Sequence, residues 1–252
     1  MVDGKLSGKI VLITGGASGI GKATVLSCCK EGAQVVFLDL NEQGGKSYEE
    51  ELGKLGFKSK FVKANVTSEE DWMNVANFIK EKYGLIDALF NNAGTNVIKP
   101  VTTLLESEWD KTLSVNLKSI FLGVKHILPL LKDNSGSIVS TASSFGVIGR
   151  KNMAAYCASK GGVIALTREL ALECADRKVR VNCISPGPTL TELLKGNIEK
   201  GLTDKSLLLS SVPFDRFAEP PEIGSLVVYL MSDESKFITG SNVVIDGGQT
   251  IA

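Results

Sequence analysis

A tyrosine and a lysine form the pair with the clearest chemical potential in this sequence. Tyr156 and Lys160 are four residues apart, a spacing that puts both side chains on one face of a helix. A phenol has an ordinary pKa of about 10, and a nearby ammonium lowers it. Ser143 stands 13 residues before Tyr156, at the end of a predicted strand, with Ser144 as a competing candidate. These residue types predict a site for proton transfer to or from a substrate oxygen.

A glycine-rich turn lies near the amino terminus, in the stretch Thr14-Gly15-Gly16-Ala17-Ser18-Gly19-Ile20-Gly21. It follows a predicted strand and opens a predicted helix. Glycines let the backbone approach a pyrophosphate, and the helix start offers unpaired N–H groups and a positive dipole end. A tight structural turn is the alternative, but the strand before it and the helix after it favour a dinucleotide site.

Asp39 ends the second predicted strand, 18 residues after Gly21. A carboxylate there can accept hydrogen bonds from the adenosine ribose hydroxyls and repels a 2′-phosphate. No basic residue is placed to bind that phosphate, because the turn carries Ser18 and Asp39 is followed by Leu40, Asn41 and Glu42. The sequence therefore predicts NAD, and not NADP, as cofactor. The alternative role for Asp39 is to cap the following helix.

Short apolar runs alternate with segments of helical period along the whole chain. The predicted strands are Lys9–Thr14, Gln34–Asp39, Lys58–Ala64, Ile86–Asn91, Gly136–Thr141, Val179–Ser185 and Asn242–Asp246. The predicted helices are 19–32, 42–56, 69–84, 105–132, 154–177 and 220–232. This alternation predicts an α/β fold: a Rossmann-type, doubly wound parallel sheet of about seven strands, with helices on both faces. Since no linker or repeat interrupts it, residues 1–252 are expected to form a single domain.

The cover segment, residues 186–221, departs from this rhythm. It follows a strand, is rich in proline and leucine, and is long for a connection in a compact domain. Ligands of open α/β sheets bind beyond the carboxyl ends of the strands. We therefore expect this segment to form a mobile, substrate-binding cover with one or two short helices, the alternative being a plain surface connection.

Taken together, these motifs resemble those of the classical short-chain dehydrogenase/reductase family, and the resemblance covers essentially the whole chain. It rests on the glycine-rich turn, Asn91-Asn92-Ala93-Gly94, Asn116, Ser143, Tyr156-x-x-x-Lys160, Pro186-Gly187 and Ile245-Asp246-Gly247-Gly248. The resemblance implies four catalytic residues. Tyr156 would be the general acid in ketone reduction and the base in alcohol oxidation, and Lys160 would bind the nicotinamide ribose. Ser143 would orient the substrate oxygen, and Asn116 would hold a water that connects Lys160 to solvent.

The resemblance also implies a set of dinucleotide contacts. The expected contacts are Gly15, Ser18, Gly19, Ile20, Gly21, Asp39, Asn65, Val66, Asn92, Gly94, Tyr156, Lys160, Pro186, Gly187, Thr189 and Thr191. Asn65 departs from the family, which often has Asp near the adenine. An amide oxygen can still accept from the adenine amino group, so weakened or unchanged binding is expected.

Composition excludes several other classes of protein. The chain has 28 basic and 28 acidic residues, which argues against a nucleic-acid binder. Neither an apolar run long enough to span a membrane nor a secretory signal in residues 1–8 is visible. Five irregularly spaced cysteines and one histidine argue against a disulfide framework or a zinc site, so no metal and a cytoplasmic location are expected. The family resemblance implies a tetramer or a dimer joined through helices 105–132 and 154–177, and a homotetramer is expected.

The function predicted is an NAD(H)-dependent oxidoreductase that interconverts a secondary alcohol and a ketone. The cover segment carries both leucines and polar residues, so a small alcohol, a polyol or sugar, and a hydroxyacyl compound all remain candidate substrates. Two alternatives stay open at this point: an NADPH-dependent 3-oxoacyl-thioester reductase, and a catalytically silent NAD-binding regulator. Asp39 counts against the first, and the intact catalytic residues count against the second.

Overall fold

A computed structural model describes residues 4–252; the absence of a secretory signal was expected partly from residues 1–3, which lie outside the described part. The strands are β1 (Ile10–Thr14), β2 (Gln34–Asp39), β3 (Ser59–Lys63), β4 (Ala88–Asn91), β5 (Ser137–Thr141), β6 (Arg180–Pro186) and β7 (Asn242–Ile245). The α-helices are α1 (Gly19–Lys30), α2 (Glu42–Lys54), α3 (Glu69–Tyr83), α4 (Glu106–Leu113), α5 (Ser119–Ile127), α6 (Ser144–Val147), α7 (Ala154–Glu173), α8 (Glu192–Glu199), α9 (Lys205–Ser210) and α10 (Pro220–Met231).

All seven strands form one parallel sheet in the order β3-β2-β1-β4-β5-β6-β7. The order reverses direction between β1 and β4, so the chain leaves these two neighbouring strands toward opposite sides. This topological switch point opens a crevice at the carboxyl ends of the strands. The predicted Rossmann-type, doubly wound fold is confirmed.

Two apolar cores flank the sheet, one on each face. One core packs α3, α5 and α7 against the strands, and its largest fully buried side chain is Trp72. The other packs α1, α2 and α10 against the opposite face, around Phe37 and Phe90. Because both faces are covered, the central strands β1, β4, β5 and β6 are buried almost throughout, and β1 and β4 are also largely apolar in sequence.

The prediction of one helix over 105–132 is the least accurate of the helix predictions. The segment is not one regular helix, since a π-helical turn over Ser114–Lys118 separates α4 from α5. It also ends in a 3₁₀ turn over Leu128–Leu130, where Pro129 lacks the N–H that an α-helix requires. Leu131 is then extended and pairs with Ile86 beside the sheet. The helix predicted over 154–177 is α-helical from Ala154 to Glu173, and a 3₁₀ turn over Ala175–Arg177 follows it.

The cover segment contains two short helices, α8 and α9, in agreement with the one or two expected. Its base is fixed by a parallel bridge between Thr189 and Ala218. The backbone N–H of Leu190 donates to the Ala218 carbonyl at 2.9 Å, and that of Ala218 donates to the Pro188 carbonyl at 2.9 Å. Both ends of the cover segment are thereby held together beside the carboxyl end of β6.

Candidate active site and dinucleotide cleft

An open cavity of about 400 Å³ runs along the carboxyl edge of the sheet, from β2 to the cover segment. The residues that line it include those expected at both ends of a dinucleotide and around a substrate. The sequence-predicted members among them are Gly15, Ser18, Gly19, Ile20, Asp39, Asn65, Val66, Asn92, Gly94, Ser143, Tyr156, Lys160, Pro186, Gly187, Thr189 and Thr191. Gly21 and Asn116 are not on the wall; they lie directly behind it.

The glycine turn is shaped by backbone contacts that leave no room for side chains. Gly15 has φ +66°, and a Cβ on it would lie 3.0 Å from the Cα of Ala93. A Cβ on Gly21 would lie 2.0 Å from the Gly15 carbonyl oxygen, so this position is closed to every other residue. The Nδ2 of Asn92 donates to the Thr14 carbonyl at 3.1 Å, which joins the ends of β1 and β4. The turn therefore presents backbone to the cleft, as a pyrophosphate site requires.

Asp39 does not cap a helix. Its two oxygens accept from the backbone N–H groups of Ala17 at 3.1 Å and Asn41 at 3.0 Å, and it is the side chain of Asn41 that caps α2, accepting from Gly44. The Asp39 carboxylate is thus fixed at the edge of the cleft beside the glycine turn. Of the described residues that line the cleft, Lys160 at its far end is the one cation. This arrangement fits a ribose with two hydroxyls and disfavours a 2′-phosphate.

The Asn65 side chain is partly engaged within its own loop. Its amide oxygen already accepts from the Thr67 backbone N–H at 3.0 Å and from the Thr67 hydroxyl at 2.8 Å. A carbonyl oxygen has two lone pairs, so it has little capacity left for an adenine amino group. The end of the side chain available to a ligand is the Nδ2 donor, which suits a ring nitrogen acceptor.

Lys160 is almost fully buried, with 3% of its surface exposed. Its ammonium donates to the Thr141 carbonyl at 2.6 Å, which ties α7 to the end of β5. Burial lowers the pKa of Lys160 to about 8. The nitrogen lies 5.8 Å from the centre of the Tyr156 ring, so the predicted pair does share one face of α7.

Burial also acts on Tyr156 and raises the pKa of its phenol, while a hydrogen bond with the Ser143 hydroxyl acts in the opposite direction. The Lys160 ammonium donates to the Thr141 carbonyl, and its role in lowering the Tyr156 pKa stays a prediction. Positive charge close to the phenol oxygen would lower this pKa.

The two adjacent serines have different surroundings. Ser143 is the N-cap of α6, where its hydroxyl oxygen accepts from the Phe145 N–H at 3.1 Å, and it lies beside Tyr156. Ser144 is 1% exposed and donates to the amide oxygen of Gln249 at 2.8 Å. Of the two serines, Ser143 is thus the one placed to act on Tyr156.

Helix α6, which the sequence did not reveal because it has only four residues, packs backbone to backbone on α7. A Cβ on Gly146 would lie 2.7 Å from the Lys160 carbonyl carbon. This close approach brings the start of α6, and with it Ser143, to the Tyr156 face of α7.

Asn116 lies in the π-helical turn and is completely buried. Its amide donates to the Thr95 carbonyl at 2.9 Å and the Ser159 hydroxyl at 3.0 Å, and its oxygen accepts from the Thr95 N–H at 2.8 Å. The side chain therefore braces the loop after β4 against α7, directly behind Lys160. Its role in holding a water stays a prediction.

One contact at the edge of the cleft has no signal in the sequence. Gln249, three residues from the C-terminus, accepts from Ser144 and donates from its Nε2 to the Ser211 hydroxyl at 2.8 Å. Ser211 directly follows α9, and its hydroxyl donates to the Leu208 carbonyl at 2.7 Å. Leu208 lines the cleft, so this chain of contacts connects the catalytic edge of the sheet to the far side of the cover segment.

Comparison with known proteins agrees with this geometry. Residues 15–250 match a family described as enoyl-(acyl carrier protein) reductase. Cyclopentanol dehydrogenase of Comamonas testosteroni is 36% identical, over 98% of this chain and 99% of its own. The 3-oxoacyl-acyl-carrier-protein reductase of Thermotoga maritima is 38% identical, over 98% of this chain and 100% of its own. The crystal structure of levodione reductase superposes with a TM-score of 0.92 at 32% identity, covering 98% of this chain and 99% of that one.

This chain belongs to the short-chain dehydrogenase/reductase family. It is an oxidoreductase that acts on CH–OH groups with a nicotinamide cofactor. Among residues 4–252, no helix is both long and apolar enough to cross a bilayer.

Proposed function

We propose that this protein is an NAD(H)-dependent dehydrogenase that interconverts a compact secondary alcohol and its ketone. The proposal rests on one observation: residues suited to a dinucleotide and residues suited to proton transfer line the same cleft. At one end Asp39 is fixed by two backbone N–H groups, and at the other end Ser143, Tyr156 and Lys160 surround the position of a reacting oxygen. When bound, the nicotinamide dinucleotide supplies the two-electron acceptor or donor.

The protein residues supply geometry and proton transfer. In alcohol oxidation, the Tyr156 phenolate accepts the substrate hydroxyl proton, and in ketone reduction the phenol returns it. The Ser143 hydroxyl donates to the substrate oxygen and stabilises the negative charge that develops there. Lys160 stays protonated below a pH of about 8, the value to which burial lowers its pKa, and its ammonium would hold the nicotinamide ribose and supply positive charge near the phenolate.

NAD is proposed over NADP because of the Asp39 carboxylate and the charges around it. A 2′-phosphate would lie against this carboxylate, and Lys160 is the one cation among the described residues lining the cleft. Each like-charge contact is unfavourable in a site partly withdrawn from water. The rival activity, an NADPH-dependent 3-oxoacyl-thioester reductase, is supported by the Thermotoga relative and opposed by Asp39.

The substrate end of the cleft is mainly apolar. Phe145 and Met153 line it from the sheet side, and Leu193, Leu194 and Leu208 line it from the cover segment, with Asn96 and Asn197 as polar members. We infer that residues 1–252 act as one domain in which residues 186–221 bind the substrate. A small cyclic secondary alcohol suits these walls best, in keeping with the activity of the Comamonas relative.

A substrate panel tests this proposal. Initial rates with NAD⁺ and NADP⁺ are measured for cyclopentanol, cyclohexanol, a tetritol and a 3-hydroxyacyl thioester, following reduced nicotinamide absorbance. The expected result is turnover of cyclic alcohols with NAD⁺ at kcat/KM at least tenfold above that with NADP⁺. Preference for NADP⁺ with the thioester would establish the rival activity instead, and dinucleotide binding without turnover of any compound would favour the silent regulator.

We propose a cytoplasmic homotetramer as the assembled form. Large apolar side chains are exposed on the two segments expected to associate: Phe121 on α5 is 51% exposed and Leu172 on α7 is 81% exposed. Exposed apolar side chains on neighbouring helices are typical of protein interfaces. All five cysteines are free thiols, which suits a reducing compartment. Light scattering is expected to give four subunit masses, and a mass of one subunit would contradict the assembly.

A further inference from the structure

A carboxylate from the cover segment lies at the start of the phosphate-binding helix. Glu192 is the first residue of α8, and its Oε2 accepts from the backbone N–H of Gly19 at 3.0 Å. Gly19 is the first residue of α1, and 173 positions of sequence separate the two partners. Helix α1 receives no hydrogen bond from the side chain of its own capping residue, Ser18, and has no acidic residue in its first turn. Glu192 thus supplies the negative charge that this helix end lacks.

The residue before Glu192 also lies close to the backbone of Gly19. A Cβ on Gly19 would lie 3.2 Å from the Thr191 Cγ2, so the cover segment rests directly on the glycine turn. Helix α8 has no buried residue. At its N-terminus, the Thr191 hydroxyl caps the helix by accepting from the Leu194 N–H. The start of α8 is consequently held to the cleft by few contacts, among which the Glu192 to Gly19 hydrogen bond is charge-assisted.

The same helix end is where a dinucleotide pyrophosphate is stabilised, through backbone N–H groups and the positive end of the helix dipole. We propose that Glu192 competes with the pyrophosphate for this helix end, and so limits dinucleotide affinity and speeds release of the reduced cofactor. This inference rests on the proposed function, because it concerns the cofactor of that same site. Release of the product dinucleotide limits turnover in many enzymes, so a carboxylate placed here has a direct use.

Binding of ligand fragments to Glu192→Gln and Glu192→Ala tests the proposal without requiring turnover. ADP-ribose carries the pyrophosphate and adenosine does not. Measured by calorimetry, ADP-ribose is expected to bind Glu192→Ala about fivefold more tightly than the parent, the effect of about one unit charge at a helix end. Glu192→Gln is expected to show a smaller gain in the same direction, since its amide oxygen still accepts from Gly19. Adenosine binding is expected to stay within twofold of the parent.

Glu199→Gln is the matched control. Glu199 ends the same helix and is exposed, and its variant loses the same charge about two turns along α8 from Glu192. It is expected to bind ADP-ribose as the parent does. Stopped-flow displacement supplies a second readout: NADH is expected to dissociate several-fold more slowly from Glu192→Ala than from either the parent or Glu199→Gln.

The outcomes separate this inference from the proposed function. Unchanged or weaker ADP-ribose binding by both Glu192 variants would overturn the competition, and so would an equal gain for adenosine or for Glu199→Gln. If the parent binds neither ADP-ribose nor NADH, the proposed dinucleotide function itself fails. Tighter ADP-ribose binding together with slower NADH release supports Glu192 as the competing anion.

Discussion

The back wall of the cleft and the cover segment differ in how strongly their residues are held. Lys160 on the back wall and Asn116 and Ser159 behind it are buried, and each makes hydrogen bonds to a neighbouring element. On the cover segment, α8 buries no residue and α9 buries only Leu208. The wall that carries the proton chemistry is therefore part of the core, whereas the wall proposed to select the substrate is attached by a few specific contacts.

This difference suggests a division of roles. Proton transfer needs fixed geometry, and burial behind a parallel sheet supplies it. Substrate entry and cofactor release need a segment of low local stability, and few buried contacts supply that. Substitutions on the back wall are thus expected to lower kcat steeply, and substitutions on the cover segment to alter KM and affinity by small factors.

The largest expected effect belongs to the back wall. Tyr156→Phe removes the proton donor and acceptor but keeps the ring, so kcat for alcohol oxidation is expected to fall by about 10³-fold. NADH affinity, measured by fluorescence titration, is expected to stay within a few-fold of the parent. Tyr229→Phe on α10 serves as the control with the same loss of a hydroxyl away from the cleft. Retention of a tenth of the parent turnover by Tyr156→Phe would remove Tyr156 from its proposed role.

The adjacent serines Ser143 and Ser144 belong to different regions: Ser143 lies beside Tyr156 on the back wall, and Ser144 contacts Gln249, which leads to the cover segment. Ser143→Ala loses the hydroxyl beside Tyr156, and a fall in kcat of about 10²-fold is expected, the usual effect of removing one oxyanion donor. Ser144→Ala loses only the contact with Gln249, so its kcat is expected to remain within about fivefold of the parent. Steady-state kinetics of both variants decides the matter, and a larger loss for Ser144→Ala would reverse the assignment.

Asp39 lies at the opposite end of the cleft and affects choice of cofactor more than catalysis. Asp39→Ser removes the charge that opposes a 2′-phosphate, so the ratio of kcat/KM for NAD⁺ over NADP⁺ is expected to fall by about tenfold or more. Glu50→Gln, an exposed change on α2, is the charge-matched control and is expected to leave the ratio unchanged. An unaltered ratio in Asp39→Ser would mean that Asp39 does not discriminate between the cofactors.

The smallest effect is expected at the contact that joins the two regions. Gln249→Ala removes the link between Ser144 and Ser211, so Leu208 is held less firmly in the cleft. The KM for the alcohol is expected to rise about three- to fivefold, as for the loss of about one hydrogen bond, while kcat and NADH affinity stay within twofold. Thr250→Ala, next in sequence, is the control. A fall in kcat at constant KM would place Gln249 with the back wall instead.

Much of this molecule was predictable from its sequence. The alternation of apolar strands with helical segments fixes a doubly wound sheet, because strand and helix periods reveal which faces are buried. The Gly15 to Gly21 turn and the Tyr156, Lys160 pair were visible because their residue types and local spacing carry the chemistry. The π-helical turn around Asn116 and the four-residue helix α6 were not visible, since neither is long enough to produce a periodic pattern.

The hydrogen-bond partners of several side chains are determined only by tertiary packing. The sequence left open whether Asp39 caps a helix, and the structure gives that cap to Asn41. It left Ser143 and Ser144 as rivals, and the turn into α6 directs Ser144 to Gln249, a residue 105 positions away. The contact of Glu192 with Gly19 likewise joins two distant segments. Local sequence determines which faces of each element are apolar, but partners so far apart in the chain meet only after the sheet has brought their strand ends to one edge.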